Sequence, residues 1–469
     1  MKINHNISAI ITNLQLLRTE DRLSNTMERL SSGFKINHAS DDPSGMAISG
    51  KMHTQIKGLN RASQNAGDGI NVIQTADGSL SEVTNMLQRM RELSVQAANE
   101  LNSQSELKDI QKEIDSLRSE INRVSDNTEF NTKSLLDGSL DTRVYGEHFS
   151  RMYVSDTVTP GNYKINIKKE STQAEIKGTK ELTGTITKEQ AGAIKINNVG
   201  IKITEGMTEQ DVYGAIRRGA EQAGAKVSNP NEKFSITSDF YGMGSELEIT
   251  VSNDKLKDYL GLNNLTEKAK GKDAEVELTR ESSTGTKVNV GFSKQATLQQ
   301  EGNRFIITDT EGFTMDFSVE NKKGGFQKGE LKMEVTDIGP MVLHIGANAD
   351  QNMRVRIPSI SSENLYLDDI DVTKSGGADR SMRILDRAIA RVSDIRAGMG
   401  AAQNRLESTV SFLDETDENM NASVSRIEDA DMAAEMTEYT RYTVLQQAAT
   451  SVLSQANEIP QMALQLLQK

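Results

Sequence analysis

Apolar residues recur at alternating steps of three and four near both ends of the chain, and at steps of two in its middle. At the start, Ile3, Ile7, Ile10, Leu14 and Leu17 form one stripe, and Leu16, Leu23, Met27, Leu30 and Phe34 form a second, one residue out of phase. This spacing predicts amphipathic helices with coiled-coil seams. The stretch Ala39 to Gly45 interrupts it: Pro43 and Gly45 read as helix breakers, Ser40 and Asp41 as caps. A long helix is expected to resume near Ile56 and to carry Ile73, Ala76, Leu80, Val83, Leu87, Met90 and Ala97 on one face. Past Asn102-Ser103, Leu107, Ile110, Ile114, Leu117, Ile121 and Val124 hold an unbroken heptad register.

The pattern then changes. Turn residues at Asp126-Asn127 and Asp137-Gly138 precede period-two segments such as Tyr163 to Ile167. From about 170 to 338, strand-like runs (Glu246–Val251, Lys287–Val290, Arg304–Thr308, Thr314–Val319) alternate with Gly, Asn and Asp turns. One helix is expected there from Glu209 to Ala223, with Thr208 as its N-cap and Asp211 three residues on. The last third is helical again. Leu385, Ala388, Val392, Ile395, Met399, Ala402, Leu406, Thr409, Leu413, Thr416, Met420, Ser423 and Ile427 follow at threes and fours without a skip. A final stripe runs Leu445, Ala449, Val452, Ala456, Ile459 and continues past Pro460 to Ala463 and Leu466. The fold class is therefore mainly α at both ends, the long coiled-coil helices of the two arms pairing, with an α+β, strand-rich domain between.

Composition sharpens this. Only 36% of residues are hydrophobic and 4% aromatic, and Trp is absent; the mean hydropathy is -0.53. A chain so poor in large apolar anchors suits thin helices whose seams are completed by neighbours. Many seam positions in the C-terminal helix are small or polar (Ala388, Ala402, Thr409, Thr416, Ser423), so a hairpin built on them alone is marginal. The segments 1–34 and 430–469 are amphipathic with no third element beside them. They are expected to bury their faces against further copies of the chain, ordering on assembly. A head-to-tail contact that does not close builds an open helical polymer.

Candidate chemistry is sparse. A formal net charge of -13 argues against nucleic acid and anionic membrane as partners. Without Cys there are no disulfides, thiolate nucleophiles or Cys metal sites. The five histidines (His5, His38, His53, His148, His344) show no metal-ligand spacing, and there is no HExxH, phosphate loop or GxSxG elbow. Asp41-Asp42 reads as helix-cap chemistry, and Gly242-Met243-Gly244 as a turn. No catalytic, cofactor or metal site is expected, and no enzyme. The N-terminal residues Met1 to Ile7 lack a Sec-type signal pattern, and no apolar run reaches the ~18–20 residues of a membrane span.

Several motifs carry a resemblance. Ile3-Asn4-His5-Asn6, Leu30-Ser31-Ser32-Gly33, Ala39-Ser40-Asp41-Asp42, Gly45 to Ser49 and Gln88 to Leu93 stand at the start of the chain. Ile345 to Asn348, Asn404-Arg405-Leu406, Arg426 to Asp431, Gln446 to Ala449, Ser454 to Asn457 and Leu464 to Leu467 stand at its end. On these, the chain closely resembles bacterial flagellins over about residues 1–170 and 340–469. The resemblance implies a subunit of the helical flagellar filament, secreted through the hollow flagellum by type III export and used for swimming motility. A hook–filament junction protein or a minor filament subunit is the alternative.

It further implies an inner D0 coiled coil (1–40 and 430–469), a D1 rod (41–170 and 339–429) and an outer D2 domain (171–338). The D0 seam would be Ile3, Ile7, Ile10, Leu14 and Leu17 with Leu445, Ala449, Val452, Ala456, Ile459 and Leu466. The D1 seam would be Leu80, Leu87, Leu107, Ile114, Leu117 and Ile121 with Val392, Ile395, Met399, Leu406 and Leu413. Implied partners are further copies of the chain, an export chaperone, filament cap and hook-junction proteins, and a host flagellin-sensing Toll-like receptor. Receptor and inter-subunit contacts would fall on Gln88, Arg89, Leu93, Ile110 and Glu113. Leu464, Leu466 and Leu467 match C-terminal leucines sensed by inflammasome receptors, although the ending Gln468-Lys469 departs from the commonest one.

Overall fold

The computed structural model describes residues 6–99, 101–155, 157–228, 233–279, 291–293, 295–310, 312–319 and 329–467. The expected strand Lys287–Val290 and the seam residue Ile3 lie outside them. Seven α-helices occur among the described residues: α1 (Ile7–Ser32), α2 (Pro43–Ala97), α3 (Gln104–Asn127), α4 (Glu209–Gln222), α5 (Asp254–Leu260), α6 (Gly377–Glu428) and α7 (Met432–Leu467). The chain divides into two compact units: 1–69 with 343–353 and 405–469, and 70–342 with 354–404.

Helix starts follow their caps. At α3 the Ser103 hydroxyl accepts from the Glu106 N–H while Glu106 reaches back to the Ser103 N–H, a capping box. Thr208 and Asp211 do the same for α4. The start of α2 departs from expectation. The helix resumes at Pro43, not near Ile56, because proline suits the first helical position: its φ is preset and its missing N–H has no helical partner there. The cap is Asp42, whose Oδ1 accepts from the N–H groups of Ser44 and Gly45 at 3.1 and 3.0 Å. Gly45 does not break the helix either. A Cβ there would come within 2.5 Å of Asp42 Oδ2 and 2.8 Å of the Ile36 methyl, so glycine leaves room for the loop to fold back on the helix.

In the first unit α1 and α7 run antiparallel, and a small cluster forms from Leu59, Ala62 and Leu413, with Ala347 and Met420 against it. Asn60 donates to Asp417 and Ser63 to Asp414, joining α2 to α6 at 3.3 and 3.0 Å.

The second unit holds three bodies of packing. The helical one buries Ile73, Leu80, Leu87 and Met90 of α2, Ile110, Ile114 and Ile121 of α3, and Leu385, Val392 and Met399 of α6. Arg91–Asp386 at 2.5 Å and Arg396–Asp77 at 2.7 Å join α2 to α6, and Arg89–Glu113 at 2.8 Å joins α2 to α3. Of the expected rod seam, Leu107 and Leu117 are only half-buried, whereas Leu406 and Leu413, in the first unit, are buried.

A second body consists of two four-stranded antiparallel sheets. One orders Glu275–Leu278, Gly161–Lys169, Gly329–Val335 and Val144–Gly146; the other orders Thr297–Glu301, Arg304–Thr308, Thr314–Val319 and Phe149–Val154. Their shared core is aromatic, with Tyr163, Phe292, Phe305 and Phe317 fully enclosed. The strand Gly161–Lys169, assigned from sequence to the helical rod, instead hydrogen-bonds on both edges to strands beyond 270. Residues on either side of position 170 therefore share one core, because the alternating Tyr163, Ile165 and Ile167 need apolar cover that only those later strands supply.

The third body packs α4 and α5 with the sheets that contain Gly192–Ile196, Glu246–Val251 and Ser235–Tyr241, around Ile194, Val212, Ile216, Phe234 and Ile249. A buried polar cluster ties the aromatic body to α6. Arg304 pairs with Asp316 through two hydrogen bonds of 2.9 and 2.5 Å, and its guanidinium lies 4.1 Å from the Tyr366 ring centroid. Arg391 of α6 approaches Asp316 to 3.9 Å. Burial, with the Asp316 charge added, pushes the Tyr366 phenol well above its ordinary range.

Two outcomes follow from this packing. Ile114→Ala, at a fully enclosed position, should lower unfolding free energy by about 2–5 kcal/mol, read as a fall in the urea midpoint followed by circular dichroism. The second concerns the 37–45 loop. Backbone N–H donors of His38 and Asn37 hold the Asp41 carboxyl below its ordinary value, and those of Gly45 and Ser44, with the Ser44 hydroxyl, do so for Asp42. A folded-state value below the unfolded one stabilises the loop fully above the ordinary carboxylate range, near pH 4, and the contribution is lost as pH falls below it. Protection of the His38 and Gly45 amides against exchange should therefore fall on acidification, although intrinsic exchange itself slows. A rate that tracks the intrinsic trend excludes this role.

Candidate assembly surface

The two faces of α1 have different compositions, and the face turned to α7 is the less apolar one. Ala9, Thr12, Leu16, Thr19, Leu23, Thr26 and Leu30 are its buried or half-buried positions, again at steps of three and four. On α7 the corresponding line is Tyr439, Tyr442, Gln446, Ala449, Leu453 and Ala456. Small residues and threonines let two backbones approach closely, and each threonine hydroxyl is satisfied within its own helix: Thr19 donates to the Gln15 carbonyl and Thr26 to that of Arg22, both at 2.8 Å. Asn6 donates to the Ala456 carbonyl at 2.7 Å, Gln446 to Glu20 at 3.4 Å, and Arg29 pairs with Glu435 at 3.4 Å. These contacts fix the antiparallel register from end to end.

The stripe expected to form this seam points elsewhere. Ile7, Ile10, Leu14 and Leu17 are between 49% and 63% exposed, and Leu445, Val452 and Ile459 between 46% and 50%. Only Ala449 and Ala456 of that set lie in the contact. Ile11, Met27, Met436, Val444 and Met462 extend the uncovered apolar surface. The side chains of Leu464, Leu466 and Leu467 lie outside the described residues. The second stripe read from the sequence lies closer to this face: its Leu16, Leu23 and Leu30 are on the contact line, interleaved with Thr12, Thr19 and Thr26, whereas its Met27 and Phe34 stay exposed.

The strands of chain that connect the pair to α2 and α6 are locked together. Lys35 N–H donates to the Glu428 carbonyl at 2.6 Å and Ala430 N–H to that of Gly33 at 2.9 Å. Gly33 adopts φ 78°, closing α1 with a left-handed residue whose N–H returns to the Arg29 carbonyl. His53 meets the Glu428 carboxylate at 2.9 Å. Burial opposes ionisation of Glu428, but hydrogen bonds from His53 and Ser49 outweigh it and keep its pKa below the ordinary value. Asp431 caps α7, its Oδ1 accepting from Ala433 and Ala434.

On the second unit, the residues expected to meet a receptor or neighbour separate by depth. Arg89 and Glu113 form an exposed pair, with Gln88 exposed beside them and Glu92 also bonded to Arg89 at 3.2 Å. Leu93 and Ile110 are buried, 2% and 7% exposed. Any partner on this face touches the charged pair and not the two apolar residues beneath it.

No group of three or more His, Cys, Asp or Glu suited to hold a metal occurs among the described residues. None of their helices is long and apolar enough to cross a membrane.

Comparison with known proteins meets the same two helical regions. Residues 3–141 match the bacterial flagellin N-terminal helical region, and residues 382–467 the bacterial flagellin C-terminal helical region. The chain is 32% identical to polar flagellin B/D of Vibrio parahaemolyticus serotype O3:K6 (strain RIMD 2210633) over 472 residues, spanning 100% of this chain and 99% of that protein. It is 30% identical to the flagellin of Salmonella muenchen over 516 residues, 99% of each. The solved structure of FliC from Burkholderia pseudomallei aligns at 17% identity and a TM-score of 0.24, over 72% of this chain and 99% of that one. The chain belongs to the bacterial flagellin family: it is a structural subunit of the extracellular flagellar filament, and not an enzyme.

Proposed function

We propose that the outward faces of α1 and α7 are the surfaces through which subunits polymerise. One observation carries this reading: the pair leaves Ile7, Ile10, Ile11, Leu14 and Leu17 of α1 and Val444, Leu445, Val452 and Ile459 of α7 in solvent, while its contact line alternates leucine with threonine and alanine. A monomeric surface rarely keeps so continuous an apolar stripe. Covering each half-exposed Ile, Leu or Val contributes about 1 kcal/mol, against ~4–15 kcal/mol lost on association. A contact that covers two or three of them is too weak. Each subunit must be held by several neighbours at once, as in a helical lattice.

In this reading 1–40 and 430–469 form the inner D0 layer, 41–170 and 339–429 the D1 rod, and 171–338 the outer D2 domain. The strand Gly161–Lys169 crosses that boundary through its pairing. A chaperone would cover the exposed face of α7 before export. Cap and hook-junction proteins would meet the same surfaces at the two filament ends. The host Toll-like receptor would contact Gln88, Arg89 and Glu113, with Leu93 and Ile110 supporting them from within. Recognition by inflammasome receptors would use Leu464, Leu466 and Leu467.

Leu14→Ser combined with Leu17→Ser should leave monomer melting unchanged, because both side chains are exposed, and raise the critical concentration for polymerisation at least tenfold, about 1.4 kcal/mol, measured by sedimentation of filaments. Normal polymerisation of that variant excludes the surface. Thr409 and Thr416, half-buried beside exposed Phe412, line a groove of about 410 Å³ with the 345–352 segment. If that groove permits two packings, replacing both by leucine should fill it and hold filaments in a single waveform. Electron microscopy across pH and salt reads the outcome, and retained polymorphism counts against it.

A further inference from the structure

A cleft of about 1000 Å³ opens in the second unit between the 239–244 and 301–304 segments, the 366–374 turn and the first turns of α6. Its lining is densely charged, and almost every charge is matched. Glu301 accepts two hydrogen bonds from Arg387, one at 2.6 Å. Asp239 meets Lys374 at 3.2 Å and Lys226 at 3.3 Å. Arg151 holds Asp369 at 2.5 Å, and Arg118 reaches Asp368 at 3.7 Å.

Two cations are left over. The side chains of Arg380 and Arg383 make no ion pair or hydrogen bond among the described residues. They stand three positions apart on α6, so they project from one face with their Cβ atoms about 5–6 Å apart. The Arg380 guanidinium is laid against the Phe240 ring, 3.2 Å from its centroid, which restricts it to the cleft wall. Burial, then the like charge of Arg383, lowers the tendency of Arg380 to hold its proton, despite Asp239 and Glu301 nearby. Both residues lie in the first two turns of α6, which begins at Gly377 and carries Asp379 in its first turn. In a chain of formal net charge -13, the cleft lining carries seven Arg and Lys against six Asp and Glu, a local excess of positive charge that the nearby Asp239 and Glu301 offset only in part.

We propose that Arg380 and Arg383 form a binding site for a small oxyanion carrying two or more negative charges, of the phosphate or polycarboxylate class. Planar guanidinium groups engage such anions through paired N–H donors. Two of them at this spacing grip separate oxygens of one ligand, and the anion relieves the repulsion between them. The ligand would also bridge α6 to the 239–241 segment through Arg380 and Phe240, stiffening the junction between the helices and the sheet bodies.

Isothermal titration of the full-length monomer at low salt tests this, with inorganic phosphate in one arm, citrate in a second and sodium chloride at matched ionic strength in a third. Saturable binding of one anion per chain by phosphate or citrate, and none by chloride, is the expected result; the better of the two identifies the ligand class. Arg383→Ala, at an exposed position on the helix surface, should weaken binding about tenfold, the size of one charge-assisted hydrogen bond. Arg380→Gln should do the same, and if it fails to fold, Arg383→Ala alone decides. Arg217→Ala, on the exposed face of α4, should bind as the parent does. Heats that do not saturate, an equal response to chloride, or an Arg383→Ala protein that binds normally would each overturn the assignment.

Discussion

A helix pair can be closely packed or strongly apolar along its contact, and α1 with α7 takes the first course. Threonine and alanine sit between the backbones, the threonine hydroxyls returning to carbonyls one turn back. Leu16, Leu23 and Leu30 share that contact, but Ile7, Ile10, Ile11, Leu14 and Leu17 are left outside. That choice sets the behaviour of the whole molecule. The pair has a defined register, from Asn6 against Ala456 to Arg29 against Glu435, yet its hydrophobic stabilisation is largely unrealised until other chains cover it. In the proposed reading, polymerisation completes a core that one chain builds only in part.

The remainder of the chain does not share this dependence. The second unit encloses its heptad positions, Leu80, Leu87, Ile114 and Ile121 among them, and it concentrates its few aromatic residues where two sheets face each other. Phe149, Phe305 and Phe317 contact one another edge-on or stacked at 5.3 and 5.6 Å, and Tyr163 lies 5.2 Å from Phe292. With 4% aromatic residues overall, placing them together gives this body a densely packed core. A filament subunit needs both kinds of stability: one independent of concentration in the outer parts, and one that appears only on assembly in the terminal helices.

Charge is used sparingly and in specific places. Most ion pairs are exposed and worth little individually. Among the buried ones are Arg304–Asp316, with Arg391 of α6 beside it, and Arg356–Asp141; the half-exposed His53–Glu428 contact stands beside the crossing strands at 33–35 and 428–430. The first and the last lie where the chain passes from one packed body to the next. Arg380 and Arg383, whose side chains make no ion pair or hydrogen bond among the described residues, occupy such a junction as well.

Much of this was legible in the amino-acid order. Heptad spacing located the helices, the Thr208–Asp211 box marked the start of α4 at the residue where it begins, and strands such as Arg304–Thr308 ran between the limits their alternation indicated. These features are local: they depend on 3.6-residue or two-residue periodicity and on caps a few residues apart. What local pattern cannot decide is which of two adjacent stripes becomes a contact, since a shift of one residue rotates a helix face by about 100° without changing the hydrophobic count. Leu16, Leu23 and Leu30 went inward with the threonines, and Ile7, Leu14 and Leu17 outward, because closeness of approach to α7 selected the smaller face. In the same way, the placement of Gly161–Lys169 with strands more than a hundred residues later, and the gathering of Arg380, Phe240 and Arg383 at one cleft, depended on long-range packing. Periodicity determined that these segments have an apolar or charged side; only the tertiary structure determined what that side would meet, because contact energies are set by neighbours brought together in space and not along the chain.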